Sequence, residues 1–173
     1  MNQFAIREAQ ATDLEAIKSW LSQPNVLQWF PMESEKEVDD AARFWVNYHY
    51  FGACFIATVD DIPCGTVLLN ITLFSKIKHQ CLLSIIVSEN FRNQGIGTKL
   101  LQFIEKVALE KFQIELLHLE VYENNPAKRL YDRMGYVQYG IHPEFLKEAN
   151  GYRSKILMQK WLVDRKGMTH GRT

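Results

Sequence analysis

The chain has 173 residues, 47% of them hydrophobic, and its 20 basic and 20 acidic side chains leave a formal net charge of zero. That composition suits one soluble domain with one good core, and it offers no global field to attract nucleic acid or an anionic membrane. No apolar run reaches the roughly 18 residues of a membrane span, and Arg7, Glu8 and Asp13 stand where a signal peptide would need its apolar stretch.

Phe4 to Glu8 reads as a first strand. Thr12 to Glu15 reads as a capping box for a helix reaching about Ser22, and Ser34 to Glu37 as a second box for a helix through Trp45 and Tyr48. Cys54 to Val59, a turn at Asp60 and Asp61, and Cys64 to Phe74 form a predicted hairpin, followed by an antiparallel strand from His79 to Val87. After a polar turn comes a long helix with Leu100, Leu101, Ile104, Val107 and Ala108 on one face. Leu116 to Tyr122 alternates as a strand should. Pro126 then starts a short helix that Gly135 closes. Tyr136 to Ile141 and Lys155 to Trp161 are predicted to close the sheet as an antiparallel pair. Residues 1–163 therefore read as one α/β domain, and residues 164–173 as a polar, frayed tail. Cys54, Cys64 and Cys81 fall in strand-like runs and read as buried reduced thiols of a cytoplasmic protein; no Cys/His spacing suits a metal.

The most informative segment is the turn between the strand ending at Val87 and the long helix. A strand, a glycine turn and a helix start together make an anion cradle, because the first helical N–H groups lack internal partners and carry partial positive charge. Three phosphate-binding patterns compete for it. The Walker loop requires Gly-Lys-Ser/Thr, whereas Gly97 is followed by Thr98 and Lys99, with Arg92 at the first glycine position. The dinucleotide pattern Gly-x-Gly-x-x-Gly fits Gly95 and Gly97 but meets Leu100 at its third glycine. The pattern Arg/Gln-x-x-Gly-x-Gly/Ala fits without a gap as Arg92-Asn93-Gln94-Gly95-Ile96-Gly97. It resembles the acyl-CoA pyrophosphate loop of the GNAT superfamily of N-acetyltransferases. Downstream, Asn124, Ala127, Tyr131, Gly135 and Tyr136 fall on a pattern that resembles the same family's second signature, Asn-x-x-Ala-x-x-x-Tyr-x-x-x-Gly-Phe/Tyr.

The resemblance implies a GNAT fold: a mixed, mostly antiparallel central sheet, splayed at its middle, with helices on both faces. Acetyl-CoA would lie in the splay as cosubstrate, without a metal. Its pantetheine would meet the backbone from Ile85 to Val87, and its pyrophosphate the N–H groups of Gln94, Gly95, Ile96, Gly97 and Thr98. Arg92 would order the turn or meet a phosphate, with Asn93 beside it in the same loop and Asn124 at the second signature. Tyr131 matches the tyrosine that protonates the departing sulfur, and the Val87 N–H the group that polarises the carbonyl. The implied reaction is acetyl transfer to a primary amine of a small molecule or peptide by direct attack. A non-catalytic acyl-CoA sensor of the same fold is the alternative.

The general base stays open. Many relatives carry a glutamate on the strand before the phosphate loop, but Leu82 to Val87 contains no carboxylate. Glu120, His118, Glu33 and an ordered water, which Ser84 could hold, all remain. The apolar segment Trp29 to Met32 and the aromatics Trp45, Tyr48 and Tyr50 suit core packing, a substrate cleft or the interface of a homodimer. The stretch from Gly140 to Arg153 is similar to relatives acting on free amino acids, polyamines or N-terminal amines, which often have an acid where Ser154 stands.

Overall fold

In the computed structural model, which describes residues 3–164, seven strands form one sheet in the order β1-β2-β3-β4-β5-β7-β6. They are β1 (Phe4–Glu8), β2 (Cys54–Val59), β3 (Ile62–Asn70), β4 (Gln80–Val87), β5 (Leu116–Tyr122), β6 (Val137–Glu148) and β7 (Gly151–Trp161). The helices are α1 (Leu14–Leu21), α2 (Pro24–Leu27), α3 (Glu35–Asn47), α4 (Ile96–Phe112) and α5 (Lys128–Arg133). All neighbouring strands run antiparallel except β4 and β5, so the sheet is mixed and mostly antiparallel. Of the predicted tail, only Asp164 falls within the described residues.

That parallel pair positions the site. β4 and β5 are in register only from Gln80 opposite Leu116 to Leu82 opposite His118. Beyond that point β4 stays with β3 through Val87, and β5 stays with β7 through Tyr122. Each strand follows the twist of its remaining partner, so the sheet opens between them.

The two faces are covered separately. α4 lays Leu100, Leu101 and Ile104, all fully buried, against Leu83, Leu117 and Leu119. Each such side chain is worth about 2 kcal/mol on burial, so this helix is firmly seated on the sheet. On the other face α1 and α3 bury Ile17, Leu21, Trp45 and Val46 against Ile56 and Leu68. Trp45 satisfies its buried indole N–H on Thr66 Oγ1 at 3.1 Å.

Several expectations are corrected. The box at Thr12 does not form. Asp13 instead accepts the Gln10 N–H at 2.7 Å and both terminal nitrogens of Arg7 at 2.7 and 2.8 Å. The local cap thus forms two residues earlier than expected, at Gln10, with Arg7 of β1 added to it. The second box does form, with Ser34 accepting from Glu37 N and the Glu37 carboxylate accepting from Ser34 N. α3 ends at Asn47, and Tyr48–Phe51 continues as a tighter 3-10 turn. β3 stops at Asn70, where the Tyr48 hydroxyl donates to the Asn70 side chain. The closing hairpin is far longer than its apolar alternation suggested, because β6 is a sheet edge that tolerates Pro143. The cysteines are free and buried, and burial pushes Cys54 and Cys64 up to about 11 and Cys81 to about 12.

The Asp13 anchor yields a pH-dependent prediction. Burial pushes its carboxyl upward, but the Arg7 bond, the Gln10 N–H and the Arg7 charge outweigh this and hold it below the usual carboxylate range. A depressed folded value contributes stability that is complete above the ordinary carboxylate pKa of about 4 and lost as pH falls through the folded value. Asp13→Asn should therefore cost about 2 kcal/mol at pH 7. In urea titrations the gap to wild type should close as pH drops below about 4.

Candidate functional site

The opening between β4 and β5 is a cleft of about 660 Å³. Its floor is Leu82 to Val87 on one side and Leu119 to Tyr122 on the other. Arg92, Asn93, Gly95, Ile96, Gly97 and Thr98 line one end, and Tyr131 of α5 faces in from the side. Thus Ile85, Val87, Arg92, Asn93, Gly95, Ile96, Gly97, Thr98 and Tyr131 share one cavity. Gln94 and Asn124 do not line it. Gln94 turns its amide to the Asn90 carbonyl at 3.1 Å. Asn124 is exposed in a left-handed turn at φ 67°, and its neighbour Asn125 lines the wall while capping Ala127 N at 2.9 Å.

The strand, the glycine turn and the helix start form in that order, with two different tasks for the glycines. Gly95 is the N-cap of α4 at φ 78°, and no side chain caps the helix there. The N–H groups of the first turn of a 17-residue helix are therefore left to the cleft. A Cβ on Gly95 would meet nothing within 4 Å, so its backbone conformation alone requires glycine. Gly97 differs: a Cβ there would come within 2.8 Å of Leu130 Cδ2. The missing side chain leaves room for the tip of Leu130 on α5, the helix that carries Tyr131.

Arg92 lines the cleft and also ties the turn to its surroundings. Its Nε donates to the Val87 carbonyl at 3.4 Å and its Nη2 to the Asn25 carbonyl at 3.2 Å. Asn25 N in turn donates to Glu89 at 2.9 Å, and Glu89 N to Gln23 Oε1 at 3.1 Å. From the far side Arg153 donates to the Gln28 carbonyl at 3.2 Å and lies 5.1 Å over the Trp29 ring. These bonds pin α2 and the following Trp29, Phe30 and Pro31 against the cleft, a wall whose helix the sequence reading missed. Trp45 belongs instead to the core, and Tyr50 is exposed.

Among the described residues lining the cleft, Glu120 is the only carboxylate, against Arg92, Arg129, Arg133 and Lys155. The excess of positive charge, together with the helix start, suits an anionic ligand. The three side chains considered as base are separated by the fold. Glu120 lines the cleft; His118, two residues earlier, does not, and burial pushes its imidazole downward despite the nearby Glu120 charge. Glu33 lies in a neighbouring groove beside Glu37 and Leu146. Ser84 is at the cleft floor.

Tyr131 is 7% exposed, its ring set edge-on to Tyr136 at 6.2 Å. Burial pushes its hydroxyl up to about 12. Its hydroxyl makes no hydrogen bond to other described residues, so it is a protonated donor at neutral pH with its bond free for a ligand.

The comparisons agree with this geometry. The family profile described as Acetyltransferase (GNAT) family matches residues 14–136, most of the chain. The chain belongs to the GNAT acetyltransferase family. An N-alpha-acetyltransferase from Sulfurisphaera tokodaii is 32% identical over 151 residues, covering 80% of this chain and 83% of that protein. A streptothricin acetyltransferase from Escherichia coli is 35% identical over 92 residues, 51% of this chain and 49% of that protein. Among solved structures, yncA from Salmonella typhimurium with its cofactor acetyl-CoA shares the fold at TM-score 0.77, with 16% identity and coverage of 98% and 99%. The ribosomal-protein-S18-alanine N-acetyltransferase from Escherichia coli does so at 0.72, with 22% identity and coverage of 97% and 100%.

Lys155 and Phe145 were not singled out as site residues from sequence, since their link to Glu120 is made only by the register of β5, β6 and β7. Arg129 and Arg133 sit one helical turn apart on α5, a spacing that could have marked them.

The contact beneath Gly97 is directly testable. Gly97→Val should cost about 1–3 kcal/mol by crowding Leu130. In a Leu130→Ala background the same change should cost much less. Additivity of the two in urea denaturation, within about 0.5 kcal/mol, would contradict the contact.

Proposed function

We propose that this GNAT family member is an N-acetyltransferase that uses acetyl-CoA to acetylate a primary amine of a small molecule or peptide. The observation that carries the reading is the meeting of three features in one cleft: the unpaired edge of β4, the uncapped start of α4 and the buried Tyr131 hydroxyl. Each answers one chemical need of the cosubstrate. An unpaired strand edge can hydrogen-bond an extended chain of amides, as pantetheine is. A helix start with cations nearby receives a pyrophosphate. A tyrosine kept protonated can supply the proton that a departing thiolate, of pKa about 8.5, takes up.

The residues divide the reaction between them. The amine nitrogen bonds to the thioester carbonyl carbon, and the carbon–sulfur bond breaks. A backbone N–H at the end of β4, that of Val87, stabilises the charge developing on the carbonyl oxygen. The proton lost by the nitrogen leaves through Glu120 or a water near Ser84, and Tyr131 gives its proton to sulfur. The products are an amide and a free thiol. Trp29, Phe30 and Pro31 wall the amine's approach and exclude water. The likeness to an N-alpha-acetyltransferase over four-fifths of the chain supports an amine acceptor.

Thermal unfolding against acetyl-CoA, CoA, NAD and ATP tests the cosubstrate. At a hundredfold excess over its dissociation constant, acetyl-CoA should stabilise by about 2.7 kcal/mol. A response to NAD or ATP but not to CoA compounds would overturn the proposal. Thiol release over a panel of amines then separates the enzyme from an acyl-CoA sensor, which would bind and not turn over. Tyr131→Phe keeps the ring and removes the hydroxyl. Turnover should fall about 100-fold while stabilisation by acetyl-CoA persists, and a loss under about tenfold would remove the general-acid assignment.

A further inference from the structure

The ion pair at the amine end of the cleft is strongly asymmetric. The Lys155 side chain is 10% exposed, whereas that of Glu120 is 42% exposed. Lys155 Nζ lies 2.7 Å from Glu120 Oε2 and 3.4 Å from the centre of the Phe145 ring. Glu120 Oε1 has no partner among the described residues. Burying an ammonium against one half-exposed carboxylate does little for stability, since an apolar side chain of similar volume would pack there without the desolvation cost. The pair is better understood by what it does to Glu120: one oxygen is fixed and the other is left available in the cleft.

The surrounding strands are shaped to hold this arrangement. Lys155 stands opposite Tyr122 on β5 and opposite His142 on β6, on the same sheet face as Glu120. The β6–β7 register then slips between His142 and Leu146, and Glu144 adopts a left-handed φ of 53°. A bulge of this kind re-aims a side chain, and here it brings Phe145 over Lys155. Tyr122 and His142 flank the ring at 6.2 and 5.1 Å. A non-glycine residue in a left-handed conformation is unfavourable in itself, and such strain gathers at functional sites.

We propose that Lys155 is a positioning residue for the acceptor: it holds Glu120 so that Oε1 receives the ammonium of a primary amine borne on an apolar body. The apolar body lies against Trp29, Phe30, Tyr122 and Phe145, which line the same cleft. The inference rests on the acetyl-transfer reading of the cleft and names its acceptor class. Lys155 touches neither substrate in this role; it acts through Glu120.

The test uses the whole protein, acetyl-CoA and phenylalanine amide, a primary amine on an apolar body without a carboxylate. Wild type should release thiol with this amine. Lys155→Met should lower kcat/KM for the amine by about 100-fold, as misplacement of a reacting group does, with the KM for acetyl-CoA unchanged. Lys155→Arg should restore most of the activity. In a Glu120→Gln background, Lys155→Met should add less than about a twofold loss, because the two act as one unit. Equal activity of Lys155→Met and wild type, or a full further loss in the Glu120→Gln background, would overturn the positioning role. Melting temperatures of all variants, measured with and without acetyl-CoA, identify any that fail to fold, and Lys155→Arg then carries the comparison. Wild type that is stabilised by acetyl-CoA yet inactive on phenylalanine amide would overturn the acceptor class. Wild type that acetyl-CoA does not stabilise would overturn the underlying reading instead.

Discussion

β4 and β5 are hydrogen-bonded over only three residue pairs, and almost everything else at the site follows from where that pairing stops. Each strand has a full antiparallel partner on its other side, so neither depends on the parallel contact for its place. Past Leu82 and His118 the two halves of the sheet follow separate twists and expose facing strand edges. An open edge inside a sheet is ordinarily a liability, because its backbone groups want partners. Here it is confined to a cleft walled by α2, α4 and α5, which keeps other chains from the edge while admitting a slender ligand.

The start of α4 depends on the same opening. Its first turn points into the cleft because β4 leads directly through the Glu89–Phe91 turn into Gly95. Glycine serves two mechanical purposes there, a left-handed cap at 95 and a close approach to Leu130 at 97. Arg92 donates to backbone carbonyls, which stiffens the loop and ties it to α2. The unpaired helix N–H groups are thereby left as the fixed anion donors of the proposed site.

What was legible in the sequence was local. The loop from Arg92 to Gly97, the stripe on α4 and the second signature through Tyr131 are continuous segments whose residue types specify their own conformation. Where a distant partner intervened, reading failed. Asp13, paired with Arg7 of β1, takes the Gln10 N–H two residues before the expected cap at Thr12. The full lengths of β6 and β7 were masked by Pro143 and by a bulge that breaks the alternation around Glu144. Lys155 reads as an ordinary strand lysine until the register of β5 with β7 brings it to Glu120. The splay itself came from family resemblance, since no single residue on β4 or β5 encodes the point at which they part.

In the proposed complex the parted strands and the start of α4 together receive acetyl-CoA. Amide hydrogen exchange with and without acetyl-CoA tests this arrangement most directly, because it reads the backbone groups on which the arrangement depends. New protection should be confined to the Ile85–Val87 edge and the Ile96–Thr98 amides. Binding of acetyl-CoA with protection elsewhere, and none at these two segments, would contradict it.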